Sequence, residues 1–299
     1  MSVYDQEEVS TAIRRALGED LGATGDITCR ALVPAGARLE ATVRAKAAGV
    51  VCGLPLFARV AALLGGGLEG LACHDDGRAV EPGEVVLRCR GDATLLLIAE
   101  RTALNFCQRL SGTATMTRRY VEAVRGTRAQ VLDTRKTTPG LRLLEKHAVV
   151  AGGGRNHRLG LYDQILIKDN HIALMEAPAH GGSRAAEAVR RCRQGLGDGM
   201  LIEVEIESLD ELEPVIAAGA DIVLLDNMPP PALAQAVVRR DRACAAGGRQ
   251  VQLEASGGIT LLNIRAVAES GVERISTGAL THSVQALDLS MRCSALGAG

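Results

Sequence analysis

Aromatic residues are nearly absent: they make up 2% of the 299 residues, and there is no Trp. Surfaces that read nucleic-acid bases offer aromatic rings for stacking and a basic overall balance. This chain has neither, with a formal net charge of −1, so no nucleic-acid partner is expected. Clustered cysteine is missing too. The eight Cys, at 29, 52, 73, 89, 107, 192, 244 and 293, form no C-x-x-C pair. That argues against a zinc site or a disulfide framework and predicts a reducing, cytoplasmic location. The opening MSVYDQEEVS is polar and acidic, unlike a signal peptide. No apolar run approaches the ~20 residues of a membrane helix, so no membrane partner is expected. Lysine is the last scarcity: only four of the 34 basic residues are Lys, at 46, 136, 146 and 168.

Three of those four lysines fall between Asp133 and Ile172, in DTRKTTPGLRLLEKHAVVAGGGRNHRLGLYDQILIKDNHI. The segment carries seven cationic side chains, Arg135, Lys136, Arg142, Lys146, Arg155, Arg158 and Lys168, against four acidic ones. In an Arg-rich chain, Lys marks a place for a compact ammonium rather than a planar fork. The set predicts a substrate with several negative charges, carboxylate or phosphate. Charge alone fits a solvated basic surface equally well.

A hydrophobic fraction of 47% supplies a core built from Ala, Val, Leu and Ile. The length suits two modest domains, or one large barrel with an attachment. The pattern predicts a helix over 5–17, with Val9, Ile13, Ala16 and Leu17 on one face, and a half-buried strand over 39–45. Short strands continue to about Arg90, with turns at Asp75-Asp76-Gly77 and Pro82-Gly83. A helix then runs from near Asp92 to Leu110, is interrupted by Ser111-Gly112, and resumes to about Arg125.

From residue 129 strands and helices alternate. The candidate strands are 129–133, 164–168, 201–206, 221–226, 251–255 and 273–277. Helices are predicted over 140–151, 184–194, 209–218, 231–245 and 260–270, the third opened by a Ser208/Glu211 capping box. Such alternation implies a parallel sheet, either a barrel or a doubly wound sheet. Each strand carries functional groups at its C-terminal end: Asp133-Thr134-Arg135-Lys136, Lys168-Asp169, Glu205, Asp226-Asn227, Ser256-Gly257-Gly258 and Thr277-Gly278. A barrel gathers all such ends at one mouth, whereas a doubly wound sheet uses mainly those at its switch point. The distribution favours the barrel.

Ser256-Gly257-Gly258 and Ser276-Thr277-Gly278-Ala279 are small-residue turns in the last two units, where barrels place phosphate. Glu205 and Asp226 can hold Mg²⁺ with substrate oxygens, or pair with Lys136 or Lys168. A lysine could instead form a Schiff base, as in aldolases, so the residue types leave two reaction classes open.

The motifs resemble the quinolinate phosphoribosyltransferase family almost end to end. G-E-D-L with G-D-I-T (18–28), E-R-T-A-L-N with L-S-G (100–112), D-T-R-K-T-T-P-G-L-R, G-G-G-x-N-H-R, L-I-K-D-N-H-I, E-V-E, L-L-D-N-M, E-A-S-G-G-I and S-x-G-A-L-T-H stand in family order. The resemblance implies an α/β fold: a sandwich-like N-terminal α/β domain (1–111, with a C-terminal helix 282–299 packed on it) and an open parallel α/β barrel (112–281). It implies transfer of phosphoribosyl from phosphoribosyl pyrophosphate to quinolinate with decarboxylation, giving nicotinate mononucleotide. By motif, Arg101, Thr134, Arg135, Lys136, His157, Arg158 and Lys168 would surround quinolinate, Arg101 from a partner subunit of a homodimer. Glu205 and Asp226 would face the ribose and the Mg²⁺-pyrophosphate. Ser256, Gly257, Gly258, Thr277, Gly278, Ala279 and His282 would hold the 5′-phosphate. Lys136, Lys168, Glu205 and Asp226 would carry the catalytic charge. Two alternatives are a molybdate-transport-associated paralogue, which the intact L-I-K-D-N-H argues against, and a non-catalytic sugar-phosphate-binding protein.

Overall fold

The computed structural model describes residues 2–176, 182–196, 199–247 and 249–296. The chain forms two compact units. The first comprises Met1–Arg118, Lys136–Gly153 and Leu280–Gly299, and the second Arg119–Arg135 and Gly154–Ala279.

In the first unit, α1 (Glu7–Leu21) buries Val9, Ile13 and Leu17, the stripe its spacing predicts. Next comes α2 (Ile27–Leu32), whose Asp26 cap accepts the N–H groups of Thr28 and Cys29. There follow β1 (Arg38–Ala45), β2 (Gly49–Val50), α3 (Leu56–Leu63), β3 (Glu69–Cys73), β4 (Ala79–Val80), β5 (Val85–Asp92) and α4 (Ala93–Ala123). A later helix, α5 (Arg142–Ala151), returns to this unit and places Leu144 and Ala148 in its core.

The second unit strings β6 (Gln130–Leu132), β7 (Ile165–Ile167), α6 (Asp169–Ala173), α7 (Arg184–Leu196), β8 (Ile202–Ile206), α8 (Leu212–Ala217), β9 (Ile222–Asp226), α9 (Pro230–Ala245), β10 (Gln252–Ser256), α10 (Ile264–Glu269) and β11 (Arg274–Ser276). Its six strands run in the order β6-β11-β10-β9-β8-β7, with every pairing parallel. The edges are the first two strands in sequence, so the barrel is open between them. Parallel pairing places every strand C-terminus at one rim. The chain ends with α11 (Ala279–His282) and β12 (Leu289–Ala295), which extends the antiparallel sheet β12-β1-β5-β3 of the first unit.

Three expectations are corrected. The C-terminal segment is a strand rather than a helix: Leu289, Met291 and Cys293 alternate along β12 and pair with Ala45, Val43 and Ala41. The helix expected to break at Ser111-Gly112 is one 31-residue helix. There the small residues serve close packing. The Ser111 hydroxyl accepts from Cys52 N–H and donates to its carbonyl, and a Cβ on Gly112 would lie 2.3 Å from the Gln285 carbonyl oxygen. By spatial packing, Lys136–Gly153 groups with the first unit. The Ser208 capping box is half made. Its hydroxyl accepts from Asp210 N–H and caps a 3₁₀ turn, Leu209–Glu211, that precedes the shorter α8.

Candidate active site

The barrel interior of the second unit is built in layers by strand alternation. Glu203 and Glu205 share one face of β8, and Glu254 and Ser256 one face of β10. In the lower layer Glu203 and Glu254 are fully buried. His157 joins them, with Nε2 at 2.9 Å from Glu203 and 3.5 Å from Glu254. Gln164 Nε2 donates to Glu203 at 2.6 Å, and Arg274 Nε to Glu254 at 2.7 Å. Burial, then the charge of Glu203, pushes the Glu254 carboxyl up. Burial opposes protonation of His157, but the hydrogen bond and charge of Glu203, with Glu254, outweigh it and raise its proton affinity. His157, Glu203 and Glu254 thus form one buried cluster met by protein donors, with one oxygen of each carboxylate left without a hydrogen bond.

This layer reaches the rim through one loop. Asp133, buried at the end of β6, accepts His157 N–H at 2.9 Å. The next N–H, of Arg158, donates to His157 Nδ1 at 2.7 Å, and the Arg158 guanidinium donates to the Gln164 carbonyl at 3.2 Å. His157 thus has protein partners on both ring nitrogens and is tied to the backbone at Arg158. Burial, followed by the nearby charge of Arg135, lowers the proton affinity of Arg158. Two guanidinium groups are held together beyond the ends of β6 and the loop, and half-buried Thr134 precedes Arg135.

The upper layer is more open. Lys168, past the end of β7, has its side chain 48% exposed and its Nζ 3.6 Å from Glu205. Burial raises the Glu205 pKa; Lys168 counters this, while Asp226 and Asp169 add to it. Three carboxylates therefore share one ammonium. Asp226 ends β9 opposite Ser256 in register, and Asn227 Nδ2 donates to it at 2.7 Å. Asn227 adopts φ +54°, and its N–H donates to the Ser256 carbonyl at 2.9 Å. A side chain at Gly257 (φ +89°) would place Cβ 2.2 Å from Asn227 Oδ1, so only glycine serves there. Gly258 follows at φ +59°. The turn lies six residues before α10, because Asn263 bonds back to Thr260 N–H and the Gly258 carbonyl. Thr277 donates its hydroxyl to the Ile259 carbonyl and accepts Ala279 N–H, so the two turns brace each other beside buried Gly278.

Arg101, Lys136 and His282 lie in the first unit. Arg101 and Asn105 are exposed one helical turn apart on α4 and line a cavity of about 330 Å³ with Glu19, Asp20 and Arg109. Lys136 is exposed, while Lys146 is buried and so forms no part of a solvated basic face. His282 Nδ1 lies 2.6 Å from the Ser283 hydroxyl.

The sequence reading missed Glu203, Glu254 and Gln164. The period-two spacing of E-V-E, and a Glu two residues before Ser256, were the available signals.

Residues 26–111 match the model of the quinolinate phosphoribosyl transferase N-terminal domain, and residues 113–292 that of its C-terminal domain. The chain belongs to the quinolinate phosphoribosyltransferase family. A probable nicotinate-nucleotide pyrophosphorylase (carboxylating) of Bacillus subtilis is 45% identical over 91% of this chain and 89% of its own length. The nicotinate-nucleotide pyrophosphorylase (carboxylating) of Mycobacterium leprae is 43% identical over 93% and 95%. Among solved structures, NadC from Streptococcus pyogenes superposes with a TM-score of 0.87 at 38% identity, covering 97% of each chain. The quinolinate phosphoribosyltransferase fold, an N-terminal α/β domain with an open α/β barrel, is thus the fold seen here. Among the described residues no helix is long and apolar enough to cross a membrane.

Proposed function

We propose that this chain transfers phosphoribosyl from phosphoribosyl pyrophosphate to the ring nitrogen of quinolinate. One carboxylate leaves as CO₂, and the products are nicotinate mononucleotide and pyrophosphate. The observation that carries this reading is the rim, where Lys168, Arg135 and Arg158 stand with an under-neutralised Glu205–Asp226 pair on neighbouring strands. Cations suit a dicarboxylate, and the acidic pair suits a divalent ion with ribose hydroxyls.

The residues fit Mg²⁺: Glu205 and Asp226 stand near the ends of paired parallel strands, and burial, then the charges of Asp226 and Asp169 against that of Lys168, raises the Glu205 pKa, a repulsion that a bound cation would relieve. Glu205 and Asp226 would hold it, directly or through water, and it would supply charge neutralisation for pyrophosphate. Arg135 and Arg158 grip the dicarboxylate, and Lys168 and Lys136 add point charges. The Gly257-Gly258 turn offers backbone N–H groups to the 5′-phosphate, with the Thr277-Gly278-Ala279 turn braced beside it. N-ribosylation makes the ring a pyridinium, which stabilises the carbanion left at C2 as CO₂ departs, and a proton drawn from solvent then forms the C2–H bond of the product.

Purified protein with quinolinate, phosphoribosyl pyrophosphate and Mg²⁺ should yield nicotinate mononucleotide by chromatography, and omission of any one should abolish it. Nicotinate should be a poor substrate, because it leaves cations unpaired. Comparable turnover of nicotinate would sink the two-carboxylate reading.

Arg101 we assign to the site of a second subunit in a homodimer. Mixing inactive Arg101→Ala and Lys168→Ala proteins under subunit exchange should restore about a quarter of wild-type activity, by two-fold symmetry. No recovery despite exchange confirmed by mass spectrometry would place Arg101 in its own subunit's site or in none.

A further inference from the structure

Four residues without an assigned role, Arg109, Thr138, Glu145 and Thr281, meet at one ion pair in the first unit. Arg109, from Q-R-L-S-G in α4, directs Nε and Nη2 at Glu145 Oε1 of α5, each at 3.1 Å. Glu145 is fully buried, while the Arg109 side chain is 29% exposed. The other Glu145 oxygen accepts Thr138 N–H at 3.0 Å, and the Thr138 hydroxyl donates to Oε1 at 2.7 Å. Arg109 Nη2 also reaches Thr138 Oγ1 at 3.2 Å and the Thr281 carbonyl at 2.6 Å. Nη1 reaches the Val284 carbonyl at 3.4 Å. The buried Thr281 hydroxyl closes the circuit by donating to the Lys136 carbonyl at 2.7 Å.

A buried ion pair is weak evidence of stability, because desolvation offsets much of its attraction. What this one supplies is geometry. It fixes the backbone two residues after Lys136 and, through Thr281, at Lys136 itself and next to His282. We infer that Arg109 and Glu145 are positioning residues for the reaction, setting where Lys136 and His282 present their side chains. The inference rests on the catalytic assignment of Lys136. Misplacing a reacting group by 1 Å costs on the order of 100-fold, so a loosened anchor is read in rate.

The test is a double-mutant cycle on folded protein, assayed below each variant's melting transition. Glu145→Gln should lower kcat/KM by about tenfold to 100-fold, with most of the loss in kcat. Thr281→Val, which removes only the hydroxyl that holds the Lys136 carbonyl, should lose kcat in the same sense with less disturbance of folding. Combined with Lys136→Ala, either substitution should add little further loss, because the group it positions is gone. Multiplicative losses in both double variants would overturn the inference, as would wild-type kcat in folded Glu145→Gln and Thr281→Val. Lys136→Ala alone reports on the underlying assignment. Full activity there would remove the group to be positioned, and the inference with it.

Discussion

Glu203 and Glu205 stand two residues apart on β8 and face the same way, yet their surroundings differ. Glu203 lies in a closed layer where Gln164 and His157 both meet one of its carboxylate oxygens and Arg274 pairs with its neighbour Glu254. Glu205 stands one layer higher, beside two further carboxylates and a single ammonium 3.6 Å away. In the lower layer each carboxylate has a protein donor held against it in the interior. The upper layer keeps a deficit that a substrate or ion can fill. Residue type does not separate scaffold from site here; the supply of protein partners does.

The largest break in that comparison should come from removing the ammonium beside Glu205. Lys168→Ala should cut kcat/KM by at least ~100-fold, a typical loss for a single electrostatic stabiliser, with little change in melting temperature. Lys168→Arg should also be damaging, since a planar fork does not replace a compact charge. A fully active Lys168→Arg enzyme would remove the special role of lysine.

The lower layer should respond in the opposite currency. Glu203→Ala leaves Gln164 and His157 aimed at nothing in a dry interior, and should cost about 3–5 kcal/mol of stability in urea unfolding. The kcat of the protein that remains folded should fall by less than Lys168→Ala lowers it. If stability were unchanged while activity collapsed, Glu203 would belong to the rim chemistry instead.

The finest distinction is in pH. The Glu205 pKa is raised, so its carboxylate form is lost on acidification sooner than an ordinary Glu would lose it. The acid limb of kcat/KM should therefore lie above the usual carboxylate range. Lys168 favours the ionised form, so in the residual activity of Lys168→Ala the limb should move to higher pH. A limb that stays in place would mean that another group controls it.

Much of the barrel was legible because each strand is a short apolar run ending in a polar group, as in QILIK before Asp169 or DIVLLD before Asn227. The rim residues were legible by type and motif. What could not be read was direction. His157, expected against substrate, has protein partners at both nitrogens, Glu203 and Arg158 N–H. Local pattern names a residue's chemistry and leaves its partners to tertiary packing. The same limit hid β12, whose alternation of Leu289, Met291 and Cys293 has meaning only once β1 lies alongside. It also hid the continuity of α4, since Ser111-Gly112 is a breaker by propensity and a contact surface by packing.

That pairing of β1 with β12 sets a schedule. Residues 38–45 must wait for 289–295 before their outer edge is covered. At ~5–20 residues per second the ribosome needs on the order of tens of seconds to make what lies between. Through that interval the nascent first unit carries an open strand, paired only to β5 on its other side. The final segment therefore acts as a closing clasp, and synthesis that stalls before it leaves a product with a ready edge for aggregation.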